Sequence, residues 1–415
     1  MERGKRNLWA VSWTSFLTDL SSEMLIHLLP LYLSSVLGVK ANVIGLIEGV
    51  AESTASLLKI ASGWWSDRLQ ARKRLAVFGY GISALAKPFF YIATTWAAVA
   101  AVRWVERVGK GVRTAPRDAL LADSFQRERR GFAFGFHRAA DTAGAVLGLL
   151  VAMAVVYAVQ GQAEEIGEAA FRTIVLVSVI PAFLAVLVLA VGARDVPADD
   201  VLTKDVPDGE MPKPRPRLGW RGLGRRFGFF LLVVGIFDLG NSADAFLILR
   251  ASERGLNVLE VLAMLLTFNL VYTVSSTPGG VLSDRFGRRQ VLMAGWSLYA
   301  LVYLGLGLAE TGWQVWALAA VYGAYYGLTY GTAKALVADL VPGELRGTAY
   351  GTFHAVLGLI DLPASVIAGI LWHGIGGFDG WGAPAPFFFG AVMAALATLL
   401  LAFGGRQLIP ENPVR

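Results

Sequence analysis

The sequence of 415 residues contains no cysteine, only four histidines, and few charged side chains, which make up 16% of the chain. Without cysteine, neither a disulfide framework nor a thiolate metal site can form. Four scattered histidines offer few other ligands, so we predict no metal and no cofactor. Because charged residues make up about 25% of ordinary soluble domains, the low charged fraction excludes that class.

Two catalytic patterns are also missing. The sequence has no Gly-x4-Gly-Lys-[Ser/Thr] stretch, the phosphate-binding loop of ATP-driven proteins. It also has no nucleophile with a base in a recognisable catalytic motif. We therefore expect neither ATP as an energy source nor an enzyme activity.

Long apolar stretches are abundant instead. Hydrophobic residues make up 55% of the chain, and the mean hydropathy is +0.55. A helix needs about 20 predominantly apolar residues to cross a bilayer. Twelve segments reach that length, and they cover residues 8–37, 43–66, 75–95, 97–122, 132–159, 172–192, 227–249, 258–280, 291–308, 314–340, 348–373 and 385–404. We predict an all-α polytopic membrane protein with twelve transmembrane helices.

A polar, proline-rich stretch divides the twelve segments into six and six. Residues 194–226 contain five prolines and no hydrophobic periodicity, which is typical of a linker. The predicted domains are an N-terminal six-helix bundle over residues 1–193, a cytoplasmic linker over 194–226, and a C-terminal six-helix bundle over 227–415.

The distribution of basic residues predicts the orientation of the chain. Most of the 37 Lys and Arg residues lie in segments that alternate with the spans on one side, whereas Lys40, Arg172, Arg250 and Arg254 lie on the other. Because cytoplasmic loops are enriched in Lys and Arg, both termini are predicted to be cytoplasmic, in a bacterial cytoplasmic membrane. The net charge of +6 then reflects topology, and we expect lipid but no nucleic acid as a partner.

The two halves of the sequence repeat each other. Asp67 and Asp284 lie in similar loops at an offset of 217 residues, and the stretches LLAD and LVAD, which end at Asp123 and Asp339, match at an offset of 216. RGFAFG and RGTAYG, which begin at Arg130 and Arg346, repeat at the same offset. Parallel copies of a six-span unit predict a pseudo-two-fold axis along the membrane normal and a binding site near the midplane.

The fourth segment carries an unusual row of cations. They occur at steps of three and four, which is one face of a helix, and they are Arg103, Arg107, Lys110, Arg113 and Arg117. A cation at the bilayer centre costs about 3 kcal/mol even on permissive scales. The row therefore predicts a helix that lines a polar passage, with Arg107, Lys110 and Arg113 as substrate-binding candidates.

The first segment offers acids for proton coupling. Asp19, Glu23 and His27 are spaced i, i+4 and i+8, so they share one face of a helix. A carboxyl group that is removed from water but close to a cation can titrate near neutral pH. We predict that Asp19, with Glu23 beside it, is the protonation site and that Arg103 or Arg107 is its partner. A permanent charge pair that holds spans 1 and 4 together is the alternative.

The second half contributes further candidates. Asp238, Asn241 and Asp244 descend span 7 at three-residue steps, and by repeat symmetry they are predicted to face the passage. Span 10 supplies Tyr326, Tyr330 and Lys334. The tyrosines could stack on a substrate ring or simply pack.

The loop motifs of this chain resemble those of the major facilitator superfamily (MFS), and the resemblance covers essentially the whole sequence. The motif Gly-x3-Asp-Arg-x-Gly-Arg-Arg is complete in the second half, as Gly280, Asp284, Arg285, Gly287, Arg288 and Arg289. The first half keeps Gly63, Asp67, Arg68 and Arg72, whereas Gln70 replaces the turn glycine and Ala71 the first arginine. The resemblance implies two pseudo-symmetric six-helix bundles in the MFS fold. It also implies that these loops form a conformational latch, for which Asp123 is a predicted partner of residues 68–73.

Two further helices carry parts of the resemblance. In span 4, Arg103 aligns with the arginine that the family associates with proton coupling, while Glu106 and Arg107 occupy positions usually held by Gln and Gly. In span 5, Gly135, Gly144 and Gly148 match the beginning of the antiporter signature, although Leu149 stands where its proline would be. These glycines imply an efflux-type branch of the family, or simply close helix packing.

Together these patterns predict a proton-coupled secondary transporter that works by alternating access. Cations concentrate in the first half, while acids are divided between both halves, which favours a small organic anion or zwitterion as the substrate. Export is favoured over import, and a monomer is expected. A multidrug efflux pump and a transport-inactive receptor or scaffold on the same fold remain alternatives.

Overall fold

The computed structural model describes residues 2–26, 28–29, 32–33, 36–39, 41–161, 166–196, 222–241, 245–256, 258–374 and 379–404. Across these residues the regular structure is helical, without strands. The α-helices are α1 (Glu2–Ile26), α2 (Ala41–Leu69), α3 (Arg72–Ala86), α4 (Phe89–Ile92), α5 (Trp96–Asp123), α6 (Arg130–Gln160), α7 (Glu168–Gly192), α8 (Gly224–Leu239), α9 (Ala245–Glu253), α10 (Val258–Phe286), α11 (Arg288–Leu308), α12 (Gly312–Leu340), α13 (Arg346–His373) and α14 (Ala385–Gly404). Short 3₁₀ turns precede α6 and α13.

Each predicted membrane segment contains at least one of these helices, and the all-α membrane fold is confirmed. Span 3 is made of α3 and α4, which are separated at Lys87 and Pro88 because the proline ring removes a backbone donor and crowds the preceding turn. Span 7 is made of α8 and α9. Most of the predicted linker, together with His27 and Asp244, lies outside the described residues.

Length and hydropathy alone identify six candidate membrane spans among the described residues. They are Arg72–Ile92, Arg127–Gln160, Glu168–Gly192, Arg288–Leu308, Gly343–Trp372 and Ala385–Gly404. Helix α5 is not among them, because its row of charged residues interrupts the apolar character that such a criterion requires.

The chain divides into two compact units. Unit 1 comprises Met1–Gln126, Ala140–Gly219 and Gly343–His354, and unit 2 comprises Arg127–Ala139, Trp220–Pro342 and Ala355–Arg415. Each unit thus contains most of one sequence repeat and a short segment from the other. The domain boundaries given above remain a prediction.

Helix α5 is the central packing partner in unit 1. It packs against α2 and α3, while α1 packs against α7. The apolar core includes Tyr32 and Phe171, whose stacked rings lie 3.9 Å apart between centroids. Where α6 meets α1, a Cβ on Gly144 would collide with the carbonyl oxygen of Phe16. A glycine there lets the two helices approach closely.

In unit 2, α12 packs against α10 and α11, and α11 packs against α14. The first turns of α6 belong to this unit, and a Cβ on Gly135 would collide with the carbonyl oxygen of Ser276 in α10. The centre of the unit is rich in aromatic rings from α8, α10, α11 and α12. Unit 2 therefore encloses an aromatic interior, in contrast to the charged interior around α5.

Candidate functional site

The predicted row of cations on α5 is buried within unit 1. Arg103, Arg107 and Arg113 are 4%, 6% and 7% exposed, whereas the neighbouring Trp104 is 45% exposed. Large apolar side chains of α5 thus point outward while the arginines point inward. This arrangement avoids the free-energy penalty of placing a cation in lipid.

Two carboxylates lie among these cations. The Nη1 atom of Arg103 is 2.6 Å from Oε2 of Glu106, one turn along the same helix. Glu52 of α2 is shared, since its two oxygens lie 3.3 Å from Nη1 of Arg107 and 3.4 Å from Nζ of Lys110. The ion pairs offset part of the desolvation that buried charges suffer.

Arg113 has no carboxylate within salt-bridge distance among the described residues. Its Nη1 donates to the Ser83 hydroxyl at 2.7 Å, and its guanidinium lies 4.5 Å from the centroid of the Tyr80 ring. A cation over an aromatic face is attracted by the ring quadrupole, but its charge is not neutralised. The contacts of Arg113 thus differ from those of Arg103, Arg107 and Lys110, each of which pairs with Glu52 or Glu106.

Asp118 follows this row and joins α5 to α13. Its Oδ1 is 2.9 Å from Nη2 of Arg117, and its Oδ2 is 2.8 Å from Nε2 of His354. The Asp118 side chain is fully buried. Sequence reasoning missed His354, although the repeat offset of 216 equates it with Arg138 and would have singled it out.

Lys87 joins α1 to this charged region. Its Nζ donates to the hydroxyls of Ser21 and Ser22, at 2.5 and 3.0 Å. It lines a small cavity together with Ser22, Arg103 and Glu106, and it interacts electrostatically with Asp19.

The predicted protonation site lies beside this lysine. Asp19 and Glu23 are both partly buried on α1. Arg103 is paired with Glu106 and Arg107 with Glu52 in this structure, so a pairing of either arginine with Asp19 stays a prediction.

In unit 2, Asp238 and Asn241 lie at the end of α8. The Asn241 amide is 3.5 Å from Oδ1 of Asp238, and the Tyr322 hydroxyl donates to Oδ1 of Asn241 at 3.3 Å. The Tyr326 hydroxyl lies 3.5 Å from that of Tyr322. This row brings together three predicted substrate-binding residues, Asp238, Asn241 and Tyr326. A further predicted residue, Asp244, lies outside the described residues.

A second aromatic and basic cluster surrounds Tyr330. The Arg138 guanidinium lies 4.4 Å from the Tyr330 ring centroid and 4.8 Å from that of Tyr272, to whose hydroxyl it also donates. Nζ of Lys334 lies 5.0 Å from the same Tyr330 ring. Arg138 thus shares a tyrosine with the predicted substrate-binding residue Lys334.

The loop motif of the first repeat closes onto the start of α13 within unit 1. Asp67 accepts the backbone N–H groups of Gly347 at 2.9 Å and Thr348 at 2.6 Å. Arg72 lies 2.7 Å from Asp67 and 2.5 Å from Asp123, which also accepts Arg346 at 2.7 Å. The expected pairing of Asp123 with the 68–73 segment is thus present.

The second repeat builds the same arrangement within unit 2. Asp284 accepts the backbone N–H groups of Gly131 at 2.9 Å and Phe132 at 2.6 Å. Arg288 pairs with Asp284 and with Asp339, to which it is 3.4 Å away. Arg130 pairs with Asp339 at 2.8 Å, as its repeat equivalent does with Asp123.

Close backbone contacts accompany both latches. A Cβ on Gly63 would collide with the carbonyl oxygen of Gly347, and one on Gly280 with that of Gly131. In each copy the motif glycine thus lets the loop helix touch the backbone at the start of a partner helix.

The structure corrects the alignment of the first motif. We matched Arg72 with the second arginine and took the first to be replaced by Ala71, but Arg72 makes the contacts that Arg288 makes in the other copy. Arg289 instead donates to the carbonyl oxygens of Leu401 and Ala402. The physical reason is the turn between the two helices, which begins one residue earlier relative to the arginine in the first copy. Gln70 there adopts a φ of 49°, a region usually reserved for glycine, and Gly287 has a φ of 95°.

The remaining motif arginines lie on aromatic rings. The guanidinium of Arg68 is 5.2 Å from the Trp64 ring centroid, and that of Arg285 is 5.5 Å from the Phe286 ring centroid. Neither is part of the ion-pair networks given above. Their predicted role in the latch stays a prediction.

Both motif aspartates lie beyond the predicted spans, which end at residues 66 and 280. Burial raises the pKa of the Asp67 carboxyl, against the opposing effect of the Arg72 guanidinium. Burial likewise raises the pKa of Asp284, against the effect of Arg288. The two copies thus share their electrostatic balance as well as their contacts.

Twelve membrane segments, a loop motif with the same contacts in both repeats and a charged interior define a multi-pass membrane transport protein. The chain belongs to the Major Facilitator Superfamily, whose family model matches residues 11–264 and 229–414. It is an MFS transporter.

Known relatives agree with this assignment. An uncharacterized MFS-type transporter of Methanocaldococcus jannaschii is 34% identical over 404 residues, which cover 96% of this chain and 94% of the relative. The class B tetracycline resistance protein of Escherichia coli is 32% identical over 158 residues, 38% of this chain and 37% of that protein. The crystal structure of the human organic anion transporter MFSD10 has the same fold, with a TM-score of 0.74 at 17% identity, over 96% of this chain and 99% of that chain.

Proposed function

We propose that this MFS transporter is a proton-coupled secondary carrier that exports a small organic anion or zwitterion across the bacterial cytoplasmic membrane, with both termini in the cytoplasm. The observation that carries the substrate class is Arg113, a buried cation of the α5 row. Its contacts are the Ser83 hydroxyl and the Tyr80 ring, and no salt bridge holds it among the described residues. An anionic group of the substrate is proposed to pair with it.

Arg113 and Lys110 are the proposed anion-binding pair. Arg113 is bound by a hydroxyl and an aromatic ring, so its charge is available to a ligand. Lys110 shares Glu52 with Arg107, and its side chain is 35% exposed. Arg guanidinium groups bind carboxylates and phosphates through two parallel hydrogen bonds, which favours a carboxylate or phosphate group on the substrate.

Export is favoured by two observations. One relative over part of the chain is a tetracycline resistance protein. In addition, the glycines of α6 follow the start of the antiporter signature, and Gly144 lies against the backbone of α1. Proton entry would then drive the substrate outward.

Asp19 and Glu23 are the proposed proton-coupling acids, and Arg103 is the cation that is proposed to pair with them. Asp19 already interacts electrostatically with Lys87, and Lys87 shares a cavity with Arg103 and Glu106. A change of conformation that redistributes these pairs would load and release the proton. The latches of Asp67 and Asp284 are proposed to break and re-form in the same cycle.

Transport in proteoliposomes tests the proposal. The purified full chain is reconstituted with a pH-sensitive dye in an acidic lumen, and mono- and dicarboxylates, phosphorylated compounds, amino acids and cationic drugs are added outside. An anion exchanged for protons makes the lumen more alkaline, whereas symport would make it more acidic. We expect alkalinisation with at least one anion or zwitterion, and a response to cationic drugs alone would refute the substrate class.

Matched variants locate the response in the protein. Arg113→Gln removes an interior cation that lacks a carboxylate, and it should abolish the anion-dependent signal. Arg172→Gln removes a partly exposed cation that pairs with Glu168 in the first turn of α7, and it should leave the signal unchanged. Equal losses in both variants would assign the effect to folding.

A further variant tests the coupling residue. Asp19→Asn should leave exchange of labelled for unlabelled substrate intact while the response to a pH gradient disappears. If Asp19→Asn transports equally fast and with the same pH dependence as the parent protein, the assignment of Asp19 fails.

A further inference from the structure

Asp238 is a buried acid, and no counter-charge faces it from the described part of the chain. Its side chain is 7% exposed, and its Oδ2 atom is buried without a hydrogen-bond partner in the part of the chain that the structure describes. Its other oxygen has one long contact, at 3.5 Å, with the amide of Asn241. An ionised carboxylate placed in such a site loses its hydration without compensation.

The groups that face Asp238 do not supply positive charge. Among the described residues, the charged group that acts on it is Asp361 of α13, which repels a second negative charge, and the Tyr325 phenol of α12 also lies near it. From α11, Tyr299 and Tyr303 face the same region, and α14 has no titratable residue. The described elements packed there therefore leave an ionised Asp238 uncompensated.

The position of Asp238 within α8 also disfavours its ionised form. It lies in the last turn of a helix that ends at Leu239. The carbonyl ends of a helix carry a partial negative charge, which disfavours a further anion. The Tyr299 hydroxyl donates to the carbonyl of Gly240 at 3.0 Å and satisfies that group, but it does not reach the acid.

We propose that Asp238 is a second proton-binding site of this carrier, neutral and occupied by a proton in the conformation described here. The inference rests on the proposed proton coupling for its role in transport, but not for the presence of the proton. A carboxylic acid group has a donor of its own, and the protonated form removes the uncompensated charge. The proton leaves when the end of α8 becomes hydrated.

A proton fits this site better than an organic cation. The ring of Phe237 lies 4.9 Å from Trp296 and 4.8 Å from Tyr299, measured between centroids, and Tyr325 and Tyr322 are stacked. Tyr299, Tyr322 and Tyr325 are at most 4% exposed. The space around the acid is thus filled by aromatic side chains. Asn241 and Tyr326 are partly exposed, so the row of polar groups that begins at Asp238 is accessible at these two residues.

Infrared difference spectroscopy tests the proton directly. The purified full chain is titrated from about pH 5 to about pH 10, between the ordinary pKa values of carboxyl and lysine side chains, in H₂O and in D₂O. We expect a carbonyl band of a protonated carboxylic acid near neutral pH that shifts in D₂O and disappears in Asp238→Asn. Loss of ionised carboxylate bands in that variant, with no loss of an acid band, would overturn the proposal.

Three controls make the result specific. Asp361→Asn changes the nearest charged group and should leave an acid band in place, while Asn241→Leu removes the one donor to Asp238 and should shift that band without abolishing it. The second variant also covers a failure of Asp238→Asn to fold. Replacing choline chloride by sodium chloride should not change the band, and its loss in sodium would identify a sodium site.

Transport separates this inference from the proposed function. With an organic acid that the panel identifies, Asp238→Asn should lose accumulation driven by the pH gradient. If no compound on the panel moves protons, the proposed function fails while the acid band still decides whether Asp238 is protonated. If transport is proton-coupled but Asp238→Asn leaves both the band and the coupling unchanged, only the inference fails.

Discussion

The region around α5 in unit 1 and the end of α8 in unit 2 differ in how a buried charge is surrounded. In unit 1, cations of α5 are buried together with acids, as in the Arg103–Glu106 pair at 2.6 Å. In unit 2, Asp238 is buried among tyrosines, and no cation of the described residues lies beside it. One interior is stabilised by pairing, and the other contains a group that can be stabilised by gaining a proton.

This difference separates two roles that the sequence had combined. Acids and cations on spans 1, 4, 7 and 10 looked like one balanced set in the sequence. The structure distributes them unevenly, with cations and carboxylates together along α5 and with Asp238 apart from any cation among the described residues. The first arrangement underlies the proposed anion site, and the second underlies the proposed proton site.

The two latches, by contrast, are built alike. Asp67 and Asp284 each accept two backbone N–H groups at the start of a partner helix and each pair with one arginine. The same contacts form in both copies although the arginine is shifted by one residue relative to the aspartate. Because the two copies make the same contacts with different sequences, the geometry of these contacts is kept more strictly than the residue-by-residue motif.

The largest effect should come from breaking the pairing in unit 1. Glu106→Gln leaves Arg103 without its ion-pair partner in a buried site, and we expect a loss of about 3–5 kcal/mol in the free energy of unfolding. Intrinsic fluorescence of the 12 tryptophans, followed during thermal unfolding in detergent, measures it. Glu168→Gln breaks an exposed i, i+4 pair with Arg172 and should cost less than about 1 kcal/mol. Similar losses would contradict the distinction between buried and exposed pairs.

Latch contacts should rank second, and equally in both copies. Gly63→Ala and Gly280→Ala each force a Cβ into a partner carbonyl oxygen, with an expected loss of about 1–3 kcal/mol of unfolding free energy. Gly81→Ala is the control, because nothing lies within 4 Å of its added Cβ, and it should stabilise α3 by up to about 1 kcal/mol. A loss in only one of the two latch variants would show that the copies are not equivalent.

Removing the isolated acid should have a small effect on stability. Asn has the shape of a protonated aspartic acid, so Asp238→Asn should change the free energy of unfolding by less than about 1 kcal/mol. The same fluorescence measurement checks it, with Glu106→Gln as the paired counterpart. A loss as large as that of Glu106→Gln would mean that Asp238 is ionised and compensated by a group that we have not identified.

The smallest effect should follow Ala71→Arg. This change restores the first arginine of the motif, but Arg72 already occupies the position between Asp67 and Asp123. We expect a change within about 0.5 kcal/mol. A clear stabilisation of the protein would show instead that the first copy lacks an arginine and that our correction of the alignment is wrong.

Much of the fold followed from local patterns in the sequence. Apolar length located the helices of all twelve spans, and the repeat offsets located Asp123 and Asp339 in equivalent latches. The partners of Lys87 and His354 did not follow. Each lies on a helix whose neighbours are set by packing between segments far apart in the chain.

Burial of α5 was predicted from its own residues, because a row of cations at helical spacing cannot face lipid. The identity of its counter-charges was not, since Arg107 and Glu52 are 55 positions apart and meet only through the packing of α2 against α5. The sequence by itself determined that this chain is a helical membrane protein with an internal repeat, because hydropathy and periodicity are local properties. Only the tertiary structure decided which buried charges are paired and which acid is left alone, because a charge is stabilised by whatever lies within a few ångströms of it.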